Sequence, residues 1–458
     1  MSENYSGATQ LDPALQEQLD RYGFSQVLVV HRQMAVLAAS RPNFEQIDDH
    51  FLPTPVVLQS RTSGTVPHAG QPSVRHFVRL GISLGYVDHD GLAGLRSNPS
   101  IETIYAGRTV GIVRPVRTTA ATLRRSLTWG IQAMRIDQFW NRGLTGKGVR
   151  VGHLDTGVDV NHPALKGRVA GFAEWDMLGN RVADAKPHDS DVHGTHTAGT
   201  IAGQAVGTRS IGVAPECEFF SGLVVEGGAV LARVLGGMEW MLENNVKVLS
   251  MSLGWRGYDA SFLVITRRLR QQGVLPVFAI GNEGEGTSRS PGNYPETLSV
   301  GAVDRAQHVA AFSSSVRFNR DQDPIQPDVV APGVHIISAK PGGGYQSMDG
   351  TSMATPHVAG LAALLWQAKP EATVDQIELA IRQTCVQLEG DPLRYGDGLV
   401  NPLAALAALT GAIQERRAAA TVRFTSKCSK QRSIIAMSYV RSWCASCFPH
   451  NSDTSERY

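Results

Sequence analysis

A serine, a histidine and an aspartate, each beside glycine and threonine, are the residues of this chain whose types could do chemistry together. Ser352 stands in Gly350-Thr351-Ser352-Met353-Ala354-Thr355-Pro356-His357-Val358-Ala359-Gly360. Gly350 permits close backbone approach, and the small and apolar residues from Ala354 through Leu365 continue as a buried helix. A serine at that loop-to-helix junction lies where unpaired N–H groups and the positive end of the helix dipole favour developing negative charge. The plain alternative is an N-cap, the usual role of a serine before a helix. His193 heads a small-residue helix running through Gly203, a position expected to project its imidazole out of the fold. Taken alone it would be one more packed or surface histidine. Asp155 closes the apolar run Gly148-Val149-Arg150-Val151-Gly152-His153-Leu154. The three make sense jointly: a serine hydroxyl is a poor nucleophile until an imidazole accepts its proton, and the imidazole needs a carboxylate to fix its tautomer and stabilise the cation.

These residues need a scaffold, and from Trp129 onward strand and helix signals alternate. The apolar runs ending at Leu154, Leu253 and Ile280 are separated by helical stretches such as Val230 to Leu242 and Phe262 to Gln271, which predicts an α/β fold with a mostly parallel sheet and helices on both faces. Functional groups gather at the carboxyl ends of such strands, where Asp155, Ser252 and Asn282 lie. Ahead of this domain, residues 1–75 read as a poorly defined extension and 76–113 as a small α+β unit with an antiparallel sheet, to which a strand near 27–30 could belong. Residues 114–126 carry Arg114, Arg117, Arg124 and Arg125 among threonines and alanines and read as an exposed basic linker, a natural place for nicking, with a permanent connector as the alternative. The main domain is expected over 127–411. The tail 412–458 holds Cys428, Cys444, Cys447 and His450; their irregular spacing favours a disordered tail with incidental thiols over a zinc site.

Composition bounds the rest. Over 458 residues, 43 Lys+Arg against 41 Asp+Glu give a formal charge of +2, which calls for neither nucleic acid nor an anionic membrane as partner. No stretch is apolar enough to cross a bilayer and the first residues lack a basic-then-apolar leader, so a cytoplasmic or non-classically exported protein is expected. Five cysteines form no disulfide framework, in keeping with a reducing compartment.

With Asp-Thr-Gly at 155–157, His-Gly-Thr-His at 193–196 and Gly-Thr-Ser-Met-Ala-Thr-Pro-His at 350–357, in that order, the chain resembles the subtilisin-type (subtilase) serine peptidases over about residues 127–411. The resemblance implies a subtilisin-like α/β fold preceded by a propeptide-like domain, and an endopeptidase working through an acyl-enzyme. Carried over by motif, it makes Ser352 the nucleophile, His193 the general base and then acid, and Asp155 the orienting carboxylate. Asn282 and the backbone N–H of Ser352 become the oxyanion donors. Ser252-Leu253-Gly254 on one side and Ala279-Ile280-Gly281 on the other become the peptide-binding walls, closed by the loop Ser290 to Pro295. Glu283, Glu285 and Arg289 stand just before that loop without favouring a charge preference, while His196 and His357 fall outside the triad. The resemblance requires no cofactor or catalytic metal. Structural calcium rests on it alone, since Asp159, Asp184, Asp189 and Asp191 are loop aspartates of a kind that more often cap turns. It implies peptide or protein substrates, with the chain's own N-terminal segment as intramolecular inhibitor, residues 76–105 resembling the propeptide and cleavage falling between about Arg114 and Thr128. Two alternatives stay open: a narrow-specificity intracellular maturation protease, and an inactive peptide-binding module, against which the complete triad plus Asn282 argues.

Overall fold

A computed structural model describes residues 12–32, 44–53, 74–108, 110–176, 179–226 and 230–411. The cysteine-bearing tail, with the zinc alternative weighed for it, and much of the extension 1–75 lie outside the described residues.

Seven parallel strands form the central sheet, in the order Val329–Pro332, Leu298–Val303, Leu275–Ala279, Val248–Met251, Arg150–Asp155, Glu218–Leu223, Val169–Glu174. Strand alternation divides their side chains between two cores. Val151, Phe219, Val248 and Val277 face one core with the helices His193–Ala202 and Thr351–Ala368. Leu154, Phe220, Leu249 and Phe278 face the other, with Val230–Glu243 and Leu263–Gln271. Both faces are therefore covered, and the strands are apolar almost throughout, as buried parallel strands must be.

The N-terminal unit is a four-stranded antiparallel sheet in the order Val74–Phe77, Ile82–Val87, Ser25–His31, Ile101–Ala106, with helices Pro13–Tyr22 and His89–Ser97. Its ordered elements thus begin at Pro13, inside the stretch read as an extension, and Ser25–His31 is an inner strand. The reason is a two-sided apolar pattern. Val27 and Val29 pack with Leu15, Leu19, Leu92 and Leu95 of the unit's own helices, whereas Leu28 and Val30 join the core containing Leu235, Met238 and Leu269 of the main domain. That shared core ties the unit to the helices Val230–Glu243 and Leu263–Gln271.

The stretch 114–126 also differs from a bare linker. Arg117–Ala121 is a strand whose side chains are exposed or half-buried, paired antiparallel with Tyr345–Asp349. Just upstream, Gly111–Ile112 pairs antiparallel with Leu253–Arg256. Two short pairings therefore hold the chain on either side of Val113 to Val116.

Candidate active site

Asp155 ends its strand buried, and the turn that follows needs glycine: Gly157 has φ +109°, and a Cβ there would lie 2.1 Å from the carbonyl oxygen of His188. The amide of Gly194, second residue of the helix His193–Ala202, donates to the Thr156 hydroxyl at 2.9 Å, anchoring the helix start beside the strand end. His193 Nδ1 meets Asp155 Oδ1 at 2.7 Å, and the same oxygen accepts from the Thr156 amide at 2.8 Å. Burial pushes the Asp155 carboxyl up, but the imidazoles of His193 and His153 outweigh it and hold the group well below the usual carboxylate range. The carboxylate is ionised and aimed.

Ser352 is the second residue of the helix Thr351–Ala368, whose N-cap is Gly350, so the serine is not the cap. Its hydroxyl donates to the carbonyl oxygen of Val113 at 2.5 Å. His193 Nε2 is buried without a hydrogen-bond partner. The imidazole does not project into solvent: His193 is 2% exposed.

Asn282 follows Gly281, whose φ of +124° suits glycine and where a Cβ would meet Glu283 Oε2 at 2.8 Å. The Thr351 amide and hydroxyl both donate to Asn282 Oδ1, each at 2.9 Å. A threonine clasp thus fixes the amide's orientation and turns Nδ2 into the cleft, where it donates to the carbonyl oxygen of Arg114 at 2.8 Å. Serine and asparagine therefore address consecutive carbonyls of one extended segment.

That segment is bound as a peptide would be. The Val113 amide donates to Ser252 O at 2.8 Å, and Ile112 and Gly111 pair with Leu253 and Gly254. On the far side the Val116 amide donates to Asp349 O at 2.8 Å, and Arg114 pairs with Asp191 at 2.9 Å. Ser252, Leu253 and Gly254 are brought to the segment directly. Ala279, Ile280 and Gly281 make their main-chain bonds elsewhere: Ile280 O accepts from the Arg289 amide and Gly281 O from the Ser314 amide. A cleft of about 530 Å³ beside the segment is lined by Ile112, Arg256, Asn282, Glu283 and Arg289. Arg289 is locked onto Glu283, Nε to Oε1 at 3.0 Å, and Arg256 approaches the same carboxylate at 3.6 Å.

His196 and His357 are buried and donate to the carbonyls of Ile336 and Met353, and burial lowers them to about 3 and about 4. Asp159 accepts from the Asn161 and Gly342 amides, and Asp189 from Thr156 and Thr195. Among the described residues no group of three or more His, Cys, Asp or Glu is placed to hold a metal ion. The sequence reading missed the Thr351 clasp and the occupying segment. For the segment, the only local signal was the β-branched pair Ile112-Val113 beside a glycine.

Comparison with known proteins agrees with this geometry. The profile described as the Subtilase family matches residues 146–398. A thermostable alkaline protease of Halalkalibacterium halodurans is 38% identical over 282 residues, 61% of this chain and 73% of that protein. A subtilisin of Bacillus pumilus is 36% identical over 61% of this chain and 99% of its own length. Subtilisin E of Bacillus subtilis is 31% identical over 353 residues, 76% of this chain and 86% of its own. A strand-end aspartate bonded to a helix-head histidine, a serine at a second helix start and matches of this extent lead to one conclusion: the chain belongs to the subtilase family and is a serine endopeptidase.

Proposed function

We propose that this endopeptidase cleaves through a Ser352 acyl-enzyme and is restrained by its own segment around Val113 and Arg114. The observation that carries the reading is the 2.7 Å contact of His193 with Asp155 in a cleft whose serine already hydrogen-bonds a peptide carbonyl. His193 Nε2 takes the hydroxyl proton as Ser352 attacks the carbonyl carbon, Asp155 stabilises the imidazolium, and Asn282 Nδ2 with the Ser352 amide receives the oxyanion. His193 then protonates the leaving amine, and water releases the acyl group by the reverse proton path. Substrate lies along Ser252, Leu253 and Gly254 by main-chain pairing, which tolerates many sequences; Ala279, Ile280 and Gly281 form the opposing wall.

The same geometry supports a restrained precursor. Ser352 donates to the Val113 oxygen while Asn282 holds the next carbonyl, so nucleophile and oxyanion donor are divided between two peptide bonds. Cleavage requires the segment to slip until one carbonyl meets both groups, and the bond nearest the serine is Val113–Arg114. This lies at the N-terminal edge of the basic stretch rather than within it. We expect the active form to begin at Arg114, to react with a serine-directed fluorophosphonate, and to lose both reaction and processing in Ser352→Ala, which keeps the full-length mass. A fully active protein with an intact N-terminus, or labelling that survives Ser352→Ala, would overturn the reading.

A further inference from the structure

A second imidazole lies behind the triad. His153 is two residues before Asp155 on one strand, so both side chains face the helix His193–Ala202. That helix presents His193 and, one turn later, Thr197. A strand pair at i, i+2 thus meets a helix pair at i, i+4. His193 bonds Asp155 Oδ1, while His153 Nε2 lies 2.8 Å from Thr197 Oγ1 and 3.6 Å from Asp155 Oδ2. Thr197 Oγ1 is itself 3.3 Å from Asp155 Oδ2. On the neighbouring strand, Ser221 sits in register with His153 and places its Oγ 3.1 Å from Nδ1. His153 is 1% exposed and both its nitrogens are partnered.

The proton positions follow from the acceptors. The Thr197 hydroxyl has one proton and three pure acceptors around it: Asp155 Oδ2, and the carbonyls of His193 and Gly194, both at 3.1 Å. In the tautomer that turns a donor toward Asp155 Oδ2, its oxygen accepts from His153 Nε2–H and His153 Nδ1 accepts from Ser221. The ring is satisfied in that tautomer, with its N–H end turned toward Asp155. The titratable groups facing it are Asp155 on its own strand and His193 on the helix; the flanking strands offer Ser221 and Ser250 in register.

We propose that His153, acting through Thr197 and held by Ser221, is a positioning residue for the reaction. It steadies the outer oxygen of Asp155, so that the carboxylate keeps Oδ1 on His193 and part of its charge is shared with donors on the other side. This rests on the proposed triad and adds to it the Thr197 hydroxyl and the His153 imidazole behind Asp155. A lone imidazole in an apolar core would be a costly guest; this one is held by two hydroxyls and directed at the one carboxylate it can influence.

The test compares three full-length enzymes: His153→Gln, His153→Val, and the triple variant His153→Val, Thr197→Val, Ser221→Ala, which removes the three side chains together, so that Ser221 is not left without its partner, and strips Asp155 Oδ2 of both its neighbours. His153→Val is expected to lower kcat about tenfold with KM within twofold. Its acid limb of kcat/KM should move to higher pH by several tenths of a unit, because the full Asp155 charge then acts on His193. The triple variant should be at least as stable as His153→Val by urea midpoint, since Ser221 is no longer left unpaired, yet keep the kcat defect and the shifted limb, while His153→Gln, which can still donate to Thr197, recovers most of the activity. A defect that the triple variant repairs marks a purely structural role and overturns the proposal, as does a limb that stays put or moves down. Asp155→Asn is run alongside: if it is fully active, the triad reading itself fails, whereas an inactive Asp155→Asn beside a wild-type-like His153→Val sinks only the role of His153.

Discussion

Asn282 is the side chain whose contribution is easiest to isolate, because Thr351 fixes its orientation. On the proposed mechanism, truncation to alanine removes one preorganised donor to the oxyanion, and the loss typical of an asparagine donor in subtilisins is on the order of 3 kcal/mol. Asn282→Ala should therefore lower kcat by two to three orders of magnitude with KM little changed, and Thr351→Val, which keeps the amide donor but loses the hydroxyl, should cost far less. Single-turnover hydrolysis of a peptide anilide measures both; equal losses would mean that the hydroxyl alone aims the amide. Acid should act through other residues. His196 and His357 are neutral in the fold, lowered by burial to about 3 and about 4, and each is near 6.5 when unfolded. Below 6.5 the unfolded chain binds protons that the folded one refuses, so stability falls as pH drops toward 4, by up to about 1.4 kcal/mol per pH unit for each histidine. Urea midpoints of Ser352→Ala, which cannot digest itself, should drop between pH 7 and pH 5, and His357→Gln should flatten that slope; an unchanged slope would refute the assignment. Asp155 works in the same direction over a lower window: its carboxyl is depressed, so the stability its ionised form contributes is full above the ordinary carboxylate range and is lost as pH falls below that range.

At the scale of elements, what the sequence disclosed and what it withheld have different physical causes. Asp155, His193 and Ser352, the proposed triad, stood out because each sits at an element end marked by glycine or a run of small residues, and the chemistry proposed for them needs all three. The parallel sheet was legible for a similar reason: the runs ending at Leu154, Leu253 and Ile280 are apolar on both faces. The exposure of His193 was misjudged because helix position tells which way a side chain points, not what covers it. The segment Gly111 to Val116 was hidden for another reason: it borrows its strand character from partners, and Leu253 and Gly254 lie about 140 residues downstream. Strands of two residues leave no period to read. The polar cluster His153, Thr197 and Ser221 was equally hidden, since strand register and helix turn bring the three together and no local pattern does.

For the whole molecule, the N-terminal unit is joined to the peptidase through an apolar face and a small set of buried polar contacts, and the latter give a handle on restraint. Arg268, 3% exposed on the helix Leu263–Gln271, donates to the carbonyls of Leu80, Gly81 and His31 at 2.5, 2.8 and 2.5 Å. Glu239, on the helix Val230–Glu243, accepts the amides of Arg79 and Leu80 at 2.7 and 3.0 Å. One cation and one anion thus satisfy both ends of the turn between the strands Val74–Phe77 and Ile82–Val87. Removing Arg268 leaves carbonyls buried without donors, a cost on the order of 3 kcal/mol, equivalent to roughly a hundredfold in an opening equilibrium. The prediction is read in the uncleavable Ser352→Ala chain. Adding Arg268→Ala should speed hydrogen exchange of the Ser25–His31 and Ile82–Val87 amides by about that factor, and should free the cleft to a peptide aldehyde at lower concentration. Amides of the helix Thr351–Ala368, buried in the other core, should be unaffected. Exchange that rises equally in both places would mean that Arg268 supports the whole fold; exchange that rises in neither would mean that the apolar face alone holds the unit in place.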